Sequence, residues 1–117
     1  MQTDRRPQPA SVPGQGGLVS VVIPAHNESA GIAHATEVIA GILDSCASRW
    51  EIVVVDDGSR DDTFGRLREI AARDPRIKAV RFSRNFGKEA ALLAGLRAAT
   101  GDAVITIDAD LQHPPAL

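Results

Sequence analysis

The chain is predicted to be an α/β protein built on a doubly wound, mostly parallel sheet of the Rossmann type. Three observations carry that reading. Short runs of β-branched residues recur at regular intervals. Segments with apolar residues at helical spacing separate those runs. Each strand-like run ends in a polar cluster, and the order of elements is βαβαβαβ.

Residues 1–17 hold three prolines and three glycines and show no periodicity, so they are read as a disordered leader. Gly14-Gln15-Gly16-Gly17 precedes the first strand. A phosphate loop follows a strand and opens a helix, so this stretch is not one. Val19–Ile23 forms the first strand, closed by Pro24. Ile32, Ala35, Ile39, Ile42 and Leu43 then mark a helix, with Asn27 or Ser29 as its cap. Ile52–Val55 is the second strand, β-branched in the manner of a strand buried on both faces.

A second helix follows Asp56-Asp57-Gly58-Ser59. Ser59 and Asp62 form a capping pair, and Phe64, Leu67, Ile70 and Ala71 form the inward stripe. Asp74-Pro75 ends it, because the residue before proline is driven out of the α region. Ile77–Phe82 supplies the third strand. A helix from Lys88 to Thr100, stopped by Gly101, leads to the fourth strand, Val104–Ile107. With right-handed crossovers the spatial order is 3-2-1-4, and the switch point lies between strands one and four. Helices one and two then share one face, the third covers the other, and strand four stands as an open edge.

With 117 residues the chain suits one domain, and 44 % apolar content supports a packed core. A formal charge of −2 gives no electrostatic reason to expect nucleic-acid binding. Cys46 is alone, which excludes a disulfide framework and a cysteine zinc site and agrees with a reducing compartment. No run approaches the ~18 apolar residues of a membrane span, and Arg5-Arg6 precede prolines rather than a signal-peptide apolar stretch. A soluble, cytoplasmic domain is expected.

Open α/β sheets bind ligands beyond the carboxyl ends of their strands, at the switch point. All four polar clusters fall there: Pro24–Glu28, Asp56–Ser59, Ser83–Lys88 and Asp108–Gln112. Glu28, Asp56, Asp57, Asp108 and Asp110 would repel one another on one rim, and a divalent cation would relieve the repulsion. In an extended segment Asp108 and Asp110 project to the same side, with the Gln112 amide oxygen as a third ligand. Oxygen-only ligands favour Mg2+ or Mn2+, which would neutralise a diphosphate leaving group. A receiver domain is disfavoured because strand one ends in Pro-Ala-His-Asn-Glu and no fifth strand follows. A P-loop is disfavoured because Gly87-Lys88 lacks the earlier glycine.

Val21–Glu28, Val55–Ser59 and Asp108–Gln112, in this order, resemble the signature of family 2 glycosyltransferases with the GT-A fold. Arg84-Asn85-Phe86-Gly87-Lys88 and Asp110–Pro115 resemble the branch of dolichyl-phosphate mannose synthases and bactoprenol glucosyltransferases. The resemblance covers residues 18–117 and implies the nucleotide-sugar-binding part of such a domain, with its C-terminal remainder absent and isolated activity poor. It implies a nucleotide-sugar site of Pro24, Ala25, His26, Glu28, Val55, Asp57, Asp108 and Ala109. Asp108, Asp110 and Gln112 would hold the metal, Asp110 would be catalytic, and Arg84 and Lys88 would approach phosphates. Relatives often carry tyrosine where this chain has His26, which loosens the expected base preference.

The implied reaction is an inverting, metal-assisted transfer of a sugar from a nucleoside-diphosphate donor to a polyprenyl phosphate at the cytoplasmic face of a membrane. The alternative is a non-catalytic fragment that binds nucleotide sugar or self-associates through the open sheet edge.

Overall fold

The structure, a computed structural model, describes residues 17–110. Apart from Gly17, the leader lies outside them, as do Gln112 and the His-Pro-Pro segment. The order is β1 (Leu18–Ala25), α1 (Ile32–Cys46), β2 (Arg49–Asp56), α2 (Thr63–Arg73), β3 (Ile77–Arg81), α3 (Lys88–Ala98) and β4 (Ala103–Thr106). The sheet runs β3-β2-β1-β4, and every neighbouring pair is parallel, as the crossover rule requires.

Alternation along each strand sorts the core into two layers. Val19, Val21 and Ile23 of β1 and Ile52 and Val54 of β2 face α1 and α2, where Ile32, Ile39, Leu43 and Leu67 meet them. Val53 and Val55 face the other way and pack with Ala91 of α3. Gly95 lets α3 approach closely: a Cβ there would stand 2.3 Å from Cγ1 of Val22. Helix α3 therefore lies tight on the sheet, which fixes the height of its first residue, Lys88, above the strand ends.

Three local expectations are corrected. Ile42 is exposed, because the buried stripe of α1 runs through Ile32, Ala35, Thr36, Ile39 and Leu43. Neither Asn27 nor Ser29 caps α1. Its N-cap is Gly31, with no side-chain cap, and the Asn27 Oδ1 accepts the N–H of Arg60 at 2.8 Å instead. Nor do Ser59 and Asp62 form a capping pair, since the Ser59 hydroxyl donates to Asp56 Oδ1 and Asp62 makes no side-chain cap bond. The polar residues before both helices are spent on tying neighbouring loops together.

β4 pairs with β1 alone among the described residues, and Val104 and Ile105 on its two faces are exposed. No helix among the described residues is long and apolar enough to cross a membrane.

Candidate nucleotide-sugar site

The carboxyl ends of β1, β2 and β4 and the first turn of α3 enclose a cavity of about 210 Å3 at the switch point. Pro24, His26, Glu28, Asp57, Lys88, Asp108, Ala109 and Asp110 line it. Eight of the residues singled out from the sequence are thus brought together, from segments as far apart as Pro24 and Asp110.

The others are placed elsewhere. Ala25 and Val55 have their side chains in the two core layers, as period-two alternation along β1 and β2 dictates. Asp56 is fully buried; its Oδ1 accepts from the backbone and hydroxyl of Ser59, while its Oδ2 has no partner among the described residues. Arg84 lies outside the first cavity. It borders a second, of about 550 Å3, with His26, Asn27, Gly58, Ser59, Arg60, Ser83 and Asn85, and its guanidinium sits 4.6 Å from the centre of the Phe86 ring. His26 is shared between the two cavities.

The loops that carry these groups brace one another. Glu28 N–H donates to Thr63 Oγ1 at 2.8 Å, and Asn27 N–H donates to Ser59 Oγ at 2.8 Å. Because a carbonyl can only accept, the 2.8 Å contact between His26 Nδ1 and the Asp57 carbonyl places the proton on Nδ1. Nε2 then accepts from the Asn27 amide at 3.2 Å. Asn27 itself takes a left-handed φ of 56°, a conformation asparagine tolerates better than most residues. Sequence reasoning missed the roles of Asn27, Asp61, Thr63 and Asn85. These contacts join residues about thirty or more apart, and no local pattern announces them.

Electrostatically the cavity is an excess of carboxylates facing one ammonium. Burial raises the Glu28 pKa above the usual carboxylate range, and the charges of Asp110, Asp61 and Asp108 raise it further. Lys88 Nζ stands 2.8 Å from Asp108 Oδ1, and that hydrogen bond and charge hold its pKa above the ordinary lysine value. The pair is half-exposed, so it is weak and readily exchanged.

The extended geometry expected for Asp108–Asp110 is not kept. β4 stops at Thr106, and residues 109 and 110 form a turn. Both aspartates still border the cavity. Among the described residues no three His, Cys, Asp or Glu side chains converge closely enough to enclose a metal ion. Two carboxylates that share a pocket do suit a hard divalent cation whose remaining ligands are phosphate oxygens and water.

The description "Glycosyl transferase family 2" matches residues 20–117. CsbB of Bacillus subtilis, named as a glycosyltransferase, is 45 % identical over 101 residues, covering 86 % of this chain and 31 % of that protein. The undecaprenyl-phosphate 4-deoxy-4-formamido-L-arabinose transferase of Aeromonas hydrophila is 41 % identical over 99 residues, covering 84 % of this chain and 30 % of its own length. Among solved structures, a mannosyltransferase of Pyrobaculum calidifontis in complex with GDP-Man and Mn2+ superposes with a TM-score of 0.69. It is 30 % identical and is matched over 91 % of this chain and 31 % of its own. The chain therefore spans less than a third of the length of these relatives. The parallel four-stranded sheet, the cavity at its switch point and these matches together show that the chain belongs to glycosyl transferase family 2.

Proposed function

We propose that this chain holds the donor half of an active site that transfers a sugar from a nucleoside diphosphate to a polyprenyl phosphate, assisted by Mg2+ or Mn2+. The observation that carries the proposal is the cavity itself. Glu28, Asp108 and Asp110 line it together with Lys88, at the position where α/β sheets bind nucleotides. A doubly charged diphosphate would be repelled from those carboxylates unless a cation came with it. The Mn2+ in the mannosyltransferase complex and the acceptor named for the undecaprenyl-phosphate relative support the same reading.

Asp108 and Asp110 would hold the cation with Gln112, and Asp110 would stand nearest the reacting sugar. A bound divalent cation neutralises charge on the departing diphosphate. Lys88 would turn its ammonium from Asp108 to a phosphate oxygen, and Pro24 and Ala109 would wall the ribose side. His26, held by Asp57 and Asn27, would face the base, with the second cavity beside Arg84 and Asn85 receiving it. The acceptor phosphate is already anionic, so its oxygen can attack the anomeric carbon without a strong base. Attack opposite the leaving diphosphate inverts that carbon, at the cytoplasmic surface of the membrane that carries the lipid. The outer edge of β4, unpaired among the described residues, supports self-association of the chain as a secondary property.

Calorimetry with UDP, GDP and their sugars tests the donor assignment. Binding is expected with Mn2+ and not after chelation, and equal binding in both conditions would overturn it. Transfer to polyprenyl phosphate by the full protein tests the acceptor.

A further inference from the structure

We infer that Asp61 and Thr63 are positioning residues for the nucleotide-sugar site. They grip the main chain after β1 and so set the wall that Pro24, His26 and Glu28 present to the cavity. The inference deepens the donor-site reading and rests on it. Three successive amides of the loop after β1 donate to side chains of the loop after β2 and the first turn of α2. Asn27 N–H reaches Ser59 Oγ at 2.8 Å, Glu28 N–H reaches Thr63 Oγ1 at 2.8 Å, and Ser29 N–H reaches Asp61 Oδ2 at 3.2 Å. In return the Asn27 Oδ1 accepts Arg60 N–H at 2.8 Å. Two loops more than thirty residues apart are thereby closed on each other, backbone to side chain.

The middle bond is the one the fold shields. Thr63 is fully buried, and its hydroxyl donates to Asp61 Oδ1. A hydroxyl has a single proton, so giving it to Asp61 leaves the oxygen's lone pairs for the Glu28 amide. Asp61 therefore fixes the sense of that bond as well as its place. The same Oδ1 accepts Thr63 N–H at 3.0 Å, which ties the carboxylate to the start of α2. These bonds, that from the Thr63 hydroxyl first, hold the Asp61 pKa at about 2, so it is a charged acceptor at neutral pH. The residue held in this way is also the one on which α1 begins, because the Glu28 carbonyl accepts the N–H groups of Gly31 and Ile32 at 3.0 and 2.9 Å. Neither Asp61 nor Thr63 lines the cavity. Thr63 carries no charge, so its hold on the main chain is the route by which it reaches a ligand.

The test combines amide exchange with nucleotide affinity in the full protein. In the unsubstituted chain the Glu28 and Ser29 N–H groups are expected to be protected. Thr63→Val keeps the shape and removes the hydroxyl. It is expected to speed Glu28 exchange about tenfold or more and to lower affinity for UDP and GDP, at saturating Mn2+, by about five- to tenfold. Thr63→Ser restores the hydroxyl and is expected to return both readouts to within about twofold of the unsubstituted chain, which separates the hydroxyl's hold from packing of the threonine methyl. A Thr63→Val protein with a lowered denaturant midpoint but unchanged affinities would overturn the inference. So would an unprotected Glu28 amide in the unsubstituted chain, or a Thr63→Ser protein no better than Thr63→Val. If Thr63→Val does not fold, Asp61→Asn, a change at an exposed side chain, carries the test: faster exchange at both Glu28 and Ser29 supports the inference and unchanged exchange overturns it. If no nucleotide binds the unsubstituted chain, the donor-site reading falls, while the exchange rates still decide whether the pair grips the loop.

Discussion

Two glutamates at opposite ends of the same sheet have opposite fates. Glu51, at the amino-terminal end of β2, is buried and accepts from Ser20 Oγ, Lys78 Nζ and both the N–H and Oγ1 of Thr100. Burial alone would raise its pKa. The bonds from Lys78, Ser20 and Thr100 overcome that and hold it at about 2. Glu28, at the carboxyl end beyond β1, is pushed up by partial burial and by neighbouring aspartates. One carboxylate is answered by hydrogen bonds and an ammonium within the fold, and the other stands among carboxylates whose charges push its pKa up. An acid satisfied within the fold serves structure, whereas carboxylates crowded at a cavity mark a candidate binding site.

The largest expected effect breaks the rim. Asp108→Asn removes a proposed charged ligand and the partner of Lys88, and should lower Mn2+-dependent nucleotide affinity by ~100-fold or more, with the melting temperature little changed. Next comes the other end of the sheet. Glu51→Gln leaves Lys78 without its counter-charge and weakens the bonds to Thr100, so denaturant midpoints should report a loss of about 2 kcal/mol with nucleotide affinity intact.

The pH dependence sharpens the contrast. Glu51 has a depressed folded pKa, so its stabilisation is present above the ordinary value of 4.5 and drains away as pH falls from there towards about 2. Glu28 has a raised folded pKa, so its contribution runs the other way, favouring the fold in acid and fading as pH rises through the raised value. Unfolding curves between pH 2 and 5 should therefore flatten in Glu51→Gln. The smallest effect is that of Glu28→Gln, which relieves repulsion and should stabilise the nucleotide-free chain by a few tenths of a kcal/mol, roughly, in the same denaturation experiment.

Much of this was legible in the sequence because it depends on local signals. Runs such as Ile52–Val55 and stripes such as Phe64–Leu67–Ile70 specify elements, and crossover handedness then specifies the order β3-β2-β1-β4. The convergence of Glu28, Asp57, Lys88, Asp108 and Asp110 followed from their all lying past carboxyl ends. What was not legible depends on contacts between loops distant in sequence. Asn27 bonds Arg60 rather than capping α1, and Asp57 bonds the amides before α3. The burial of Ala25 and Val55 could have been read from alternation with Ile23 and Val53, a physical signal that the motif resemblance obscured. The two-acid pocket also lacked a geometric guarantee, since the turn at residues 109 and 110 replaces the extended segment that was expected.

The central claim is that the rim, unlike the opposite end of the sheet, is completed by a divalent cation and a diphosphate. Mn2+ titration followed by electron paramagnetic resonance, with and without UDP or GDP, tests it in the unsubstituted protein, Asp108→Asn and Glu51→Gln. Bound Mn2+ is expected to rise sharply with nucleotide in the unsubstituted protein and in Glu51→Gln, and to vanish in Asp108→Asn. Equal Mn2+ binding in all three proteins, or binding indifferent to nucleotide, would contradict the account.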